Sequence, residues 1–246
     1  MAVLSVSRLS KSYGGVQALH DVSFEVSASE RIALIGPNGA GKTTCFNILN
    51  GQLAPDRGEV RLDGASLNGL SPHEISRRGV GRTFQVAALF ASMSVRENVQ
   101  TALLSQRGLQ RSLVRSATHS CSAEADAVLE RVGMAADADR PCAALAYSAL
   151  KRLELAVALA QRPRVLLMDE PTAGMALTER AELMSLASDL ARSENMAVLF
   201  TEHDMDVVFG FASRVLVLHL GELIAQGAPE AVRADPRVRK VYLGDA

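Results

Sequence analysis

Residues 36–44 combine three glycines, a lysine and two threonines in a spacing that suits the binding of a phosphate chain. They fit the pattern G-x-x-x-x-G-K-[ST], in which glycines let backbone N–H groups converge on phosphate oxygens. Lys42 is expected to reach the β- and γ-phosphates of a nucleotide, and the Thr43 hydroxyl to hold Mg²⁺. The predicted nucleotide-binding residues of this loop are Gly36, Pro37, Asn38, Gly39, Ala40, Gly41, Lys42, Thr43 and Thr44.

The elements needed to position this loop flank it on both sides. Residues 31–35 are an apolar run typical of a short buried strand, and residues 44–50 have the composition of a helix. The N-terminus of that helix would add positive partial charge where the phosphates bind. A glycine-rich turn that binds nothing is the alternative, and the strand and helix in register disfavour it.

A second apolar strand, residues 165–168, ends in two carboxylates, Asp169 and Glu170. Parallel sheets bind ligands at the carboxyl ends of their strands. Asp169 is expected to hold Mg²⁺ through water, and Glu170 to polarise the attacking water, a contribution of roughly 10²–10⁴ in rate. Two solvated acids at a strand end are the alternative, and the phosphate-binding loop makes it the weaker one.

Three further side chains are weaker signals on their own. His203 could hydrogen-bond a γ-phosphate and orient Glu170 or the water, although a histidine at a strand end is usually only a satisfied polar residue. The Gln85 amide could touch Mg²⁺ or water. Tyr13 could stack on an adenine ring, and a tyrosine buried in a β-sheet is an equally good interpretation.

Composition narrows the class of protein. The 246 residues have a formal net charge of −1, no tryptophan and 4% aromatic residues. Neither the charge nor the aromatic content favours binding to nucleic acid. The three cysteines follow no metal or disulfide spacing, so a reducing cytoplasm is the simplest compartment. No apolar signal segment opens the chain, and the apolar runs are far shorter than the ~20 residues of a membrane helix. Work at a membrane would require a partner that spans it.

Periodicity along the chain predicts an α/β fold. Strand-like alternation in residues 1–30 and 59–62 indicates an N-terminal antiparallel β sub-domain. Ser71, Pro72 and Glu74 form a helix start, and residues 95–160 are mostly helical in pattern. The polar stretch 105–125 is expected to be an exposed loop or helix connection. Strands and helices alternate after residue 163, which is typical of a mostly parallel sheet.

Taken in order, these residues resemble the ATP-binding subunit of an ABC transporter. Tyr13 is similar to the A-loop aromatic, residues 36–44 to Walker A, and Gln85 to the Q-loop. Residues 165–169 resemble Walker B, Glu170 the catalytic glutamate and His203 the switch histidine. The resemblance covers nearly the whole chain. It implies one ATPase domain: a core of residues 1–85 and 161–246 with its antiparallel β sub-domain, and a helical sub-domain of residues 86–160.

A subfamily is suggested by four further segments, and these are similar to the ATPases of branched-chain amino acid uptake systems. They are residues 11–19, 82–85, 171–175 and 236–244. The resemblance implies ATP and Mg²⁺ as cofactors and import of branched-chain amino acids or related small polar or aromatic acids and amides. The implied partners are two membrane permeases, a second ATPase and, indirectly, a periplasmic solute-binding protein, with no nucleic acid. The implied location is the cytoplasmic face of the inner membrane, as a peripheral subunit.

The signature motif departs from the family pattern. Leu-Ser-Gly-Gly-Gln falls on residues 145–149, where Ala146, Tyr147, Ser148 and Ala149 would face the partner's nucleotide. Ser148 adds a side chain where the backbone should approach a ligand closely. The D-loop, residues 173–176, also ends in alanine where the family carries aspartate. A homodimer would carry the defect at both sites, so a heterodimer with one good site is expected.

Two other functions remain open on the sequence alone. A soluble ABC-type ATPase acting on nucleic acid or ribosomes would be expected to show a coiled coil, tandem domains or a basic face, none of which is visible. A regulatory nucleotide-binding subunit that no longer hydrolyses ATP is disfavoured by Glu170 and His203 but kept open by Ser148.

Overall fold

The computed structural model describes residues 2–83, 89–108 and 121–243, and the side chains up to residue 241. The strands are β1 Ala2–Tyr13, β2 Val16–Ser27, β3 Arg31–Ile35, β4 Arg57–Leu62, β5 Ala65–Ser66, β6 Val80–Thr83, β7 Val165–Asp169, β8 Ala197–Thr201, β9 Arg214–His219 and β10 Glu222–Gly227. The helices are α1 Lys42–Leu49, α2 Pro72–Arg78, α3 Val95–Gln106, α4 Ser122–Arg131, α5 Tyr147–Leu159, α6 Leu177–Ser193, α7 Met205–Phe211, α8 Pro229–Ala234 and α9 Pro236–Leu243. Short 3₁₀ turns occupy Ala135–Asp137 and Cys142–Ala144.

The larger sheet has the strand order β10-β9-β3-β8-β7-β6. Its strands are parallel except for β10, which closes a hairpin with β9. β7 and β8 are apolar and buried for most of their length, as expected of strands covered on both faces. The carboxyl ends of β3, β7 and β8 therefore meet at one edge, and the mostly parallel sheet predicted from the sequence is confirmed.

The smaller sheet is antiparallel, with the order β2-β1-β4-β5. Leu4 of β1 lies opposite Val26 of β2 on one side and Leu62 of β4 on the other. This register aligns the buried faces of the three strands. The predicted N-terminal antiparallel sub-domain is thus present. Its hairpin tip, between β1 and β2, carries Tyr13.

The central strand β3 separates two hydrophobic cores by its alternation. Ile32 and Leu34 pack with α1 and the antiparallel sheet, whereas Ala33 and Ile35 pack with apolar residues of the helices, including those of α4, α5 and α6. Successive side chains point to opposite faces of a strand, so one five-residue strand serves both cores.

The helix predictions are largely confirmed. Ser71 caps α2 with Pro72 at the first turn, and Glu74 closes the capping box. One prediction was partly wrong: residues 122–125, expected in an exposed connection, form the first turn of α4, and Ala125 is fully buried. The alanines of that turn are helix formers, and their burial against the core outweighs the polarity of the preceding stretch. Residues 109–120 lie outside the described residues.

None of the helices in the described ranges is long and apolar enough to cross a membrane.

Candidate nucleotide-binding site

The phosphate-binding loop joins β3 to α1, where the sequence places it. Gly41, which caps α1, adopts φ +106°, and a Cβ there would overlap the carbonyl oxygen of Ala18 on β2. The Gly221 N–H in the β9–β10 turn, which packs against β2, donates to the Ala40 carbonyl at 3.0 Å. Contacts from β2 and from the turn that follows β9 therefore hold the loop.

Lys42 is buried beneath this loop. Its Nζ donates to the carbonyl oxygens of Gly36 at 2.7 Å and Pro37 at 3.2 Å. Burial lowers the pKa of the Lys42 ammonium, and the nearby carboxylates of Glu170 and Asp169 oppose that effect. A phosphate chain bound to the loop would stabilise the positively charged form of Lys42, which burial disfavours.

An open cleft of about 330 Å³ brings together side chains from four parts of the chain. Its lining residues are Tyr13, Ala18, Asn38, Gly39, Ala40, Gly41, Lys42, Thr43, Thr44, Glu170 and His203. Tyr13 is half exposed at the hairpin tip, so the interpretation as a buried sheet tyrosine is wrong. Thr43 is exposed at the start of α1, facing the same opening.

Asp169 lies at the end of β7 with both carboxylate oxygens engaged. Its Oδ1 accepts a hydrogen bond from Thr201 Oγ1 at 2.8 Å. Its Oδ2 pairs with Arg82 Nη2 at 2.9 Å, and this guanidinium also donates to Asn47 Oδ1 on α1 at 2.7 Å. The Asp169 side chain is 16% exposed, so the carboxylate is fixed by its neighbours while keeping access to solvent.

Glu170 and His203 are in direct contact. His203 Nε2 lies 3.0 Å from Glu170 Oε1, and the imidazole is half exposed toward the cleft. Glu170 has φ +46°, a sparsely populated value for a residue with a side chain. The sequence suggested that His203 would orient Glu170, and the geometry is compatible with that expectation. Gln85, the remaining predicted catalytic and metal-binding residue, lies outside the described residues.

Comparisons with known proteins agree with the resemblance to ABC transporter ATPases. The ABC transporter family model matches residues 19–173. The chain belongs to this family. A model described as a branched-chain amino acid ATP-binding cassette transporter matches residues 222–246. ATP-binding subunits of ABC transporters are ATPases coupled to transport, and this chain is such a subunit.

Two curated relatives cover almost the full length. The chain is 38% identical over 253 residues to the high-affinity branched-chain amino acid transport ATP-binding protein BraF of Pseudomonas aeruginosa, across 99% of this chain and 98% of the relative. It is 39% identical over 252 residues to the corresponding protein LivG of Escherichia coli K12, with the same coverage.

Two solved structures of ABC transporter cassettes match the fold. The ADP conformation of one cassette aligns with a TM-score of 0.86 and 27% identity over 100% of both chains. A dimeric, post-hydrolysis cassette bound to ADP and Pi aligns with a TM-score of 0.78 and 25% identity over 92% of this chain and 98% of its own. Cassettes of this family thus bind nucleotide and form dimers.

The region of this ABC subunit that corresponds to the signature motif begins α5. Ala146 is the N-cap and supplies no side-chain hydrogen bond. The Tyr147 hydroxyl donates to the Ala173 carbonyl at 3.1 Å. The Ser148 hydroxyl is close enough to the Glu179 carboxylate, in the first turn of α6, to lower the pKa of Glu179.

Two side chains that hold Asp169 are not predicted from the sequence. Arg82 falls in the segment 82–85 that carries the subfamily resemblance, and Thr201 lies two residues before His203. A charged residue inside the buried strand β6, which pairs with β7, was a signal for an internal partner. The role of Thr201 required the register of β7 on β8, which places it opposite Asp169.

Proposed function

We propose that this chain hydrolyses ATP in the cleft between the phosphate-binding loop and Glu170, and thereby energises import of branched-chain amino acids or related small polar or aromatic acids and amides. The observation that carries the proposal is the convergence of Lys42, Glu170 and His203 on one cleft beside the phosphate-binding loop. The relatives BraF and LivG are branched-chain amino acid transport proteins by name, which supports the class of substrate.

The donor set fits Mg²⁺. The Thr43 hydroxyl and the Asp169 carboxylate are hard oxygen ligands of the kind this ion prefers. Within the described ranges no group of three or more His, Cys, Asp or Glu side chains could hold a metal ion. This suits an ion that takes its remaining ligands from phosphate oxygens and water. When bound, Mg²⁺ would neutralise charge on the β- and γ-phosphates.

Each side chain has a defined task in this proposal. Lys42 and the N–H groups of residues 39–43 bind the phosphates, and Tyr13 stacks on the adenine. Glu170 orients and polarises the attacking water, and His203 holds the Glu170 carboxylate on the cleft side through their 3.0 Å contact. The chain thus supplies positioning and electrostatic stabilisation, which account for most of the catalysis of phosphoryl transfer.

The proposed assembly contains two membrane permeases, this chain and a second ATPase at the cytoplasmic face of the inner membrane. The helical sub-domain, residues 86–160, would contact the permeases, and a periplasmic solute-binding protein would deliver the substrate. Ala146, Tyr147, Ser148 and Ala149 would face the nucleotide of the second ATPase. The serine at position 148 is the ground for the heterodimer, because a homodimer would carry this departure from the family pattern at both sites.

The variant Glu170→Gln tests the hydrolytic role. It keeps the shape of the side chain and removes the charge, so ATP binding should persist while turnover falls by at least the roughly 10²–10⁴ expected for a general base. Glu230→Gln, an exposed site on α8 outside the proposed permease contact, is the matched control and should leave both unchanged. Normal turnover by Glu170→Gln would mean that another group activates the water. Binding without turnover in the unmodified complex would favour the regulatory alternative.

The heterodimer is tested by the subunit composition and the activity of the purified complex. A complex purified with this chain as its only ATPase should show little activity, whereas the complex isolated from native membranes should contain a second ATPase. Near-normal activity of the first complex would refute the heterodimer.

A further inference from the structure

The hydroxyl of Thr201 joins the two carboxylate residues at the end of β7. Thr201 Oγ1 donates to Asp169 Oδ1 at 2.8 Å and accepts from the Glu170 backbone N–H at 3.0 Å. A threonine hydroxyl has one donor and two acceptor positions, so it can make both contacts at once. Thr201 is 1% exposed, so both contacts are buried in the protein interior.

Strand register explains why this residue is in reach. β7 and β8 are parallel neighbours, with Asp169 opposite Thr201 at the edge that faces the cleft. Glu170 is the next residue and leaves the strand with φ +46°. Its N–H is shared between Thr201 Oγ1 and the Thr201 carbonyl oxygen, the latter at 3.2 Å.

The residue after Thr201 fixes the chain on the far side of Glu170. Glu202 Oε1 accepts from the N–H and the hydroxyl of Thr172 at 2.9 and 2.6 Å. Both Glu202 and Thr172 are buried. Contacts from the end of β8 therefore hold positions 169, 170 and 172, and Glu170 keeps its unusual backbone conformation between them.

We propose that Thr201 is a positioning residue for hydrolysis, which sets the Asp169 carboxylate and the Glu170 backbone relative to each other through one hydroxyl. The inference rests on the proposed roles of Asp169 and Glu170. Removal of such supporting contacts typically costs about 10–100-fold in activity.

Two substitutions separate the hydroxyl from the shape of the side chain. Thr201→Val keeps the branched shape and removes the hydroxyl, whereas Thr201→Ser keeps the hydroxyl and removes a methyl group. A positioning role predicts that valine lowers turnover by about 10–100-fold with unchanged ATP affinity, and that serine restores most of it. A packing role predicts the reverse order, because the serine would leave a cavity.

Turnover is measured in the intact transport complex, and hydrogen exchange at the Glu170 amide in the full chain. Faster exchange in Thr201→Val, but not in Thr201→Ser, is expected because one of the two acceptors of that N–H is lost. Ser188→Ala is the control, since the Ser188 hydroxyl on α6 lies outside both the cleft and the proposed permease contact and donates within its own helix, to the Met184 carbonyl at 2.8 Å. It should leave both readouts unchanged.

Unchanged turnover and exchange in Thr201→Val would overturn the inference. Equal losses in the valine and serine variants, with lowered melting temperatures in both, would also overturn it and show a packing role. Glu170→Gln is measured alongside. If that variant retains turnover, the proposed function fails, and the exchange rate of the Glu170 amide still decides the inference about Thr201.

Discussion

Lys42 combines burial with a requirement for positive charge. The side chain is 8% exposed, and its ammonium is held by two loop carbonyls. Burial lowers its pKa, although Glu170 and Asp169 act in the opposite direction. A bound polyphosphate would raise that pKa again, because an opposite charge favours the charged form. Proton binding and nucleotide binding are thereby linked at this residue.

The linkage predicts a pH dependence of affinity. Nucleotide binding should take up a proton at alkaline pH, and affinity should fall as the pH rises through the lowered pKa of Lys42. Calorimetry in two buffers of different ionisation enthalpy measures the uptake directly. Lys42→Arg, which stays charged throughout, is the control and should show no uptake. Proton-neutral binding by the unmodified chain up to the usual pKa of lysine would contradict the assignment.

The sequence alone located most of the side chains that line the cleft, but not the side chains that hydrogen-bond Asp169. Lys42, Asp169 and Glu170 follow from motifs in which spacing along the chain fixes position in space. Arg82 and Thr201 bond Asp169 across strands that are distant in sequence. Their roles depend on sheet order and register, which periodicity does not specify. The half-exposed position of Tyr13 likewise depends on how the β1–β2 hairpin projects beyond the core.

At the scale of elements, the phosphate-binding loop is shaped by close contact with β2. Gly41 has φ +106°, and a Cβ there would overlap the Ala18 carbonyl oxygen. Both features exclude a larger residue, so the approach of β2 depends on this glycine.

Gly41→Ala should therefore abolish nucleotide binding and destabilise the fold by about 1–3 kcal/mol, the usual cost of such backbone strain. Gly210→Ala is the matched control, because a Cβ at Gly210 in α7 would meet no atom within 4 Å. That control should be neutral or stabilising by about 0.5–1 kcal/mol. Equilibrium unfolding and a nucleotide titration measure both effects, and equal stability of the two variants would refute the packing argument.

Helix α5 contains a buried ion pair below the signature region. Lys151 Nζ lies 2.9 Å from Glu154 Oε2, with the side chains 3% and 5% exposed. An exposed pair on the same helix, Arg152 with Glu182 of α6, provides a contrast, with side chains 31% and 62% exposed.

Glu154→Ala should destabilise the chain by about 3–5 kcal/mol, because it removes the carboxylate that pairs with the buried Lys151 ammonium. Glu182→Ala should cost only about 0–1 kcal/mol, since exposed pairs are screened by water. Denaturant unfolding measures the change in the free energy of unfolding for each of the two variants. Similar values for both would show that the buried pair contributes no more to stability than the exposed pair.

Elements were predictable where one pattern dominated. The buried strand β7 and the capped helix α2 follow from apolar runs and from cap residues. The start of α4 was not recognised, because Ser122 follows a polar stretch and helix burial there is decided by packing against the core. The antiparallel attachment of β10 to β9 is made by a tight turn in which Gly221 adopts φ +82°.

At the scale of the whole molecule, the chain is one ATPase subunit of a family whose cassettes form dimers, and we propose that a second ATPase completes its site. Its own cleft contains the phosphate-binding loop, Glu170 and His203, whereas the region proposed to face the partner's nucleotide carries Ser148 in place of the family's glycine. The two halves of the proposed shared site would therefore be unequal. The proposed heterodimer follows from that asymmetry, and so does the prediction that this chain's own loop serves the productive site.

The most direct measurement is substrate-stimulated ATP hydrolysis by the native transport complex carrying Lys42→Ala in this chain. We expect both hydrolysis and amino acid uptake to be lost, while the complex still assembles in its normal composition. Full hydrolysis and uptake by that complex would contradict the central claim, because the productive nucleotide would then be bound elsewhere.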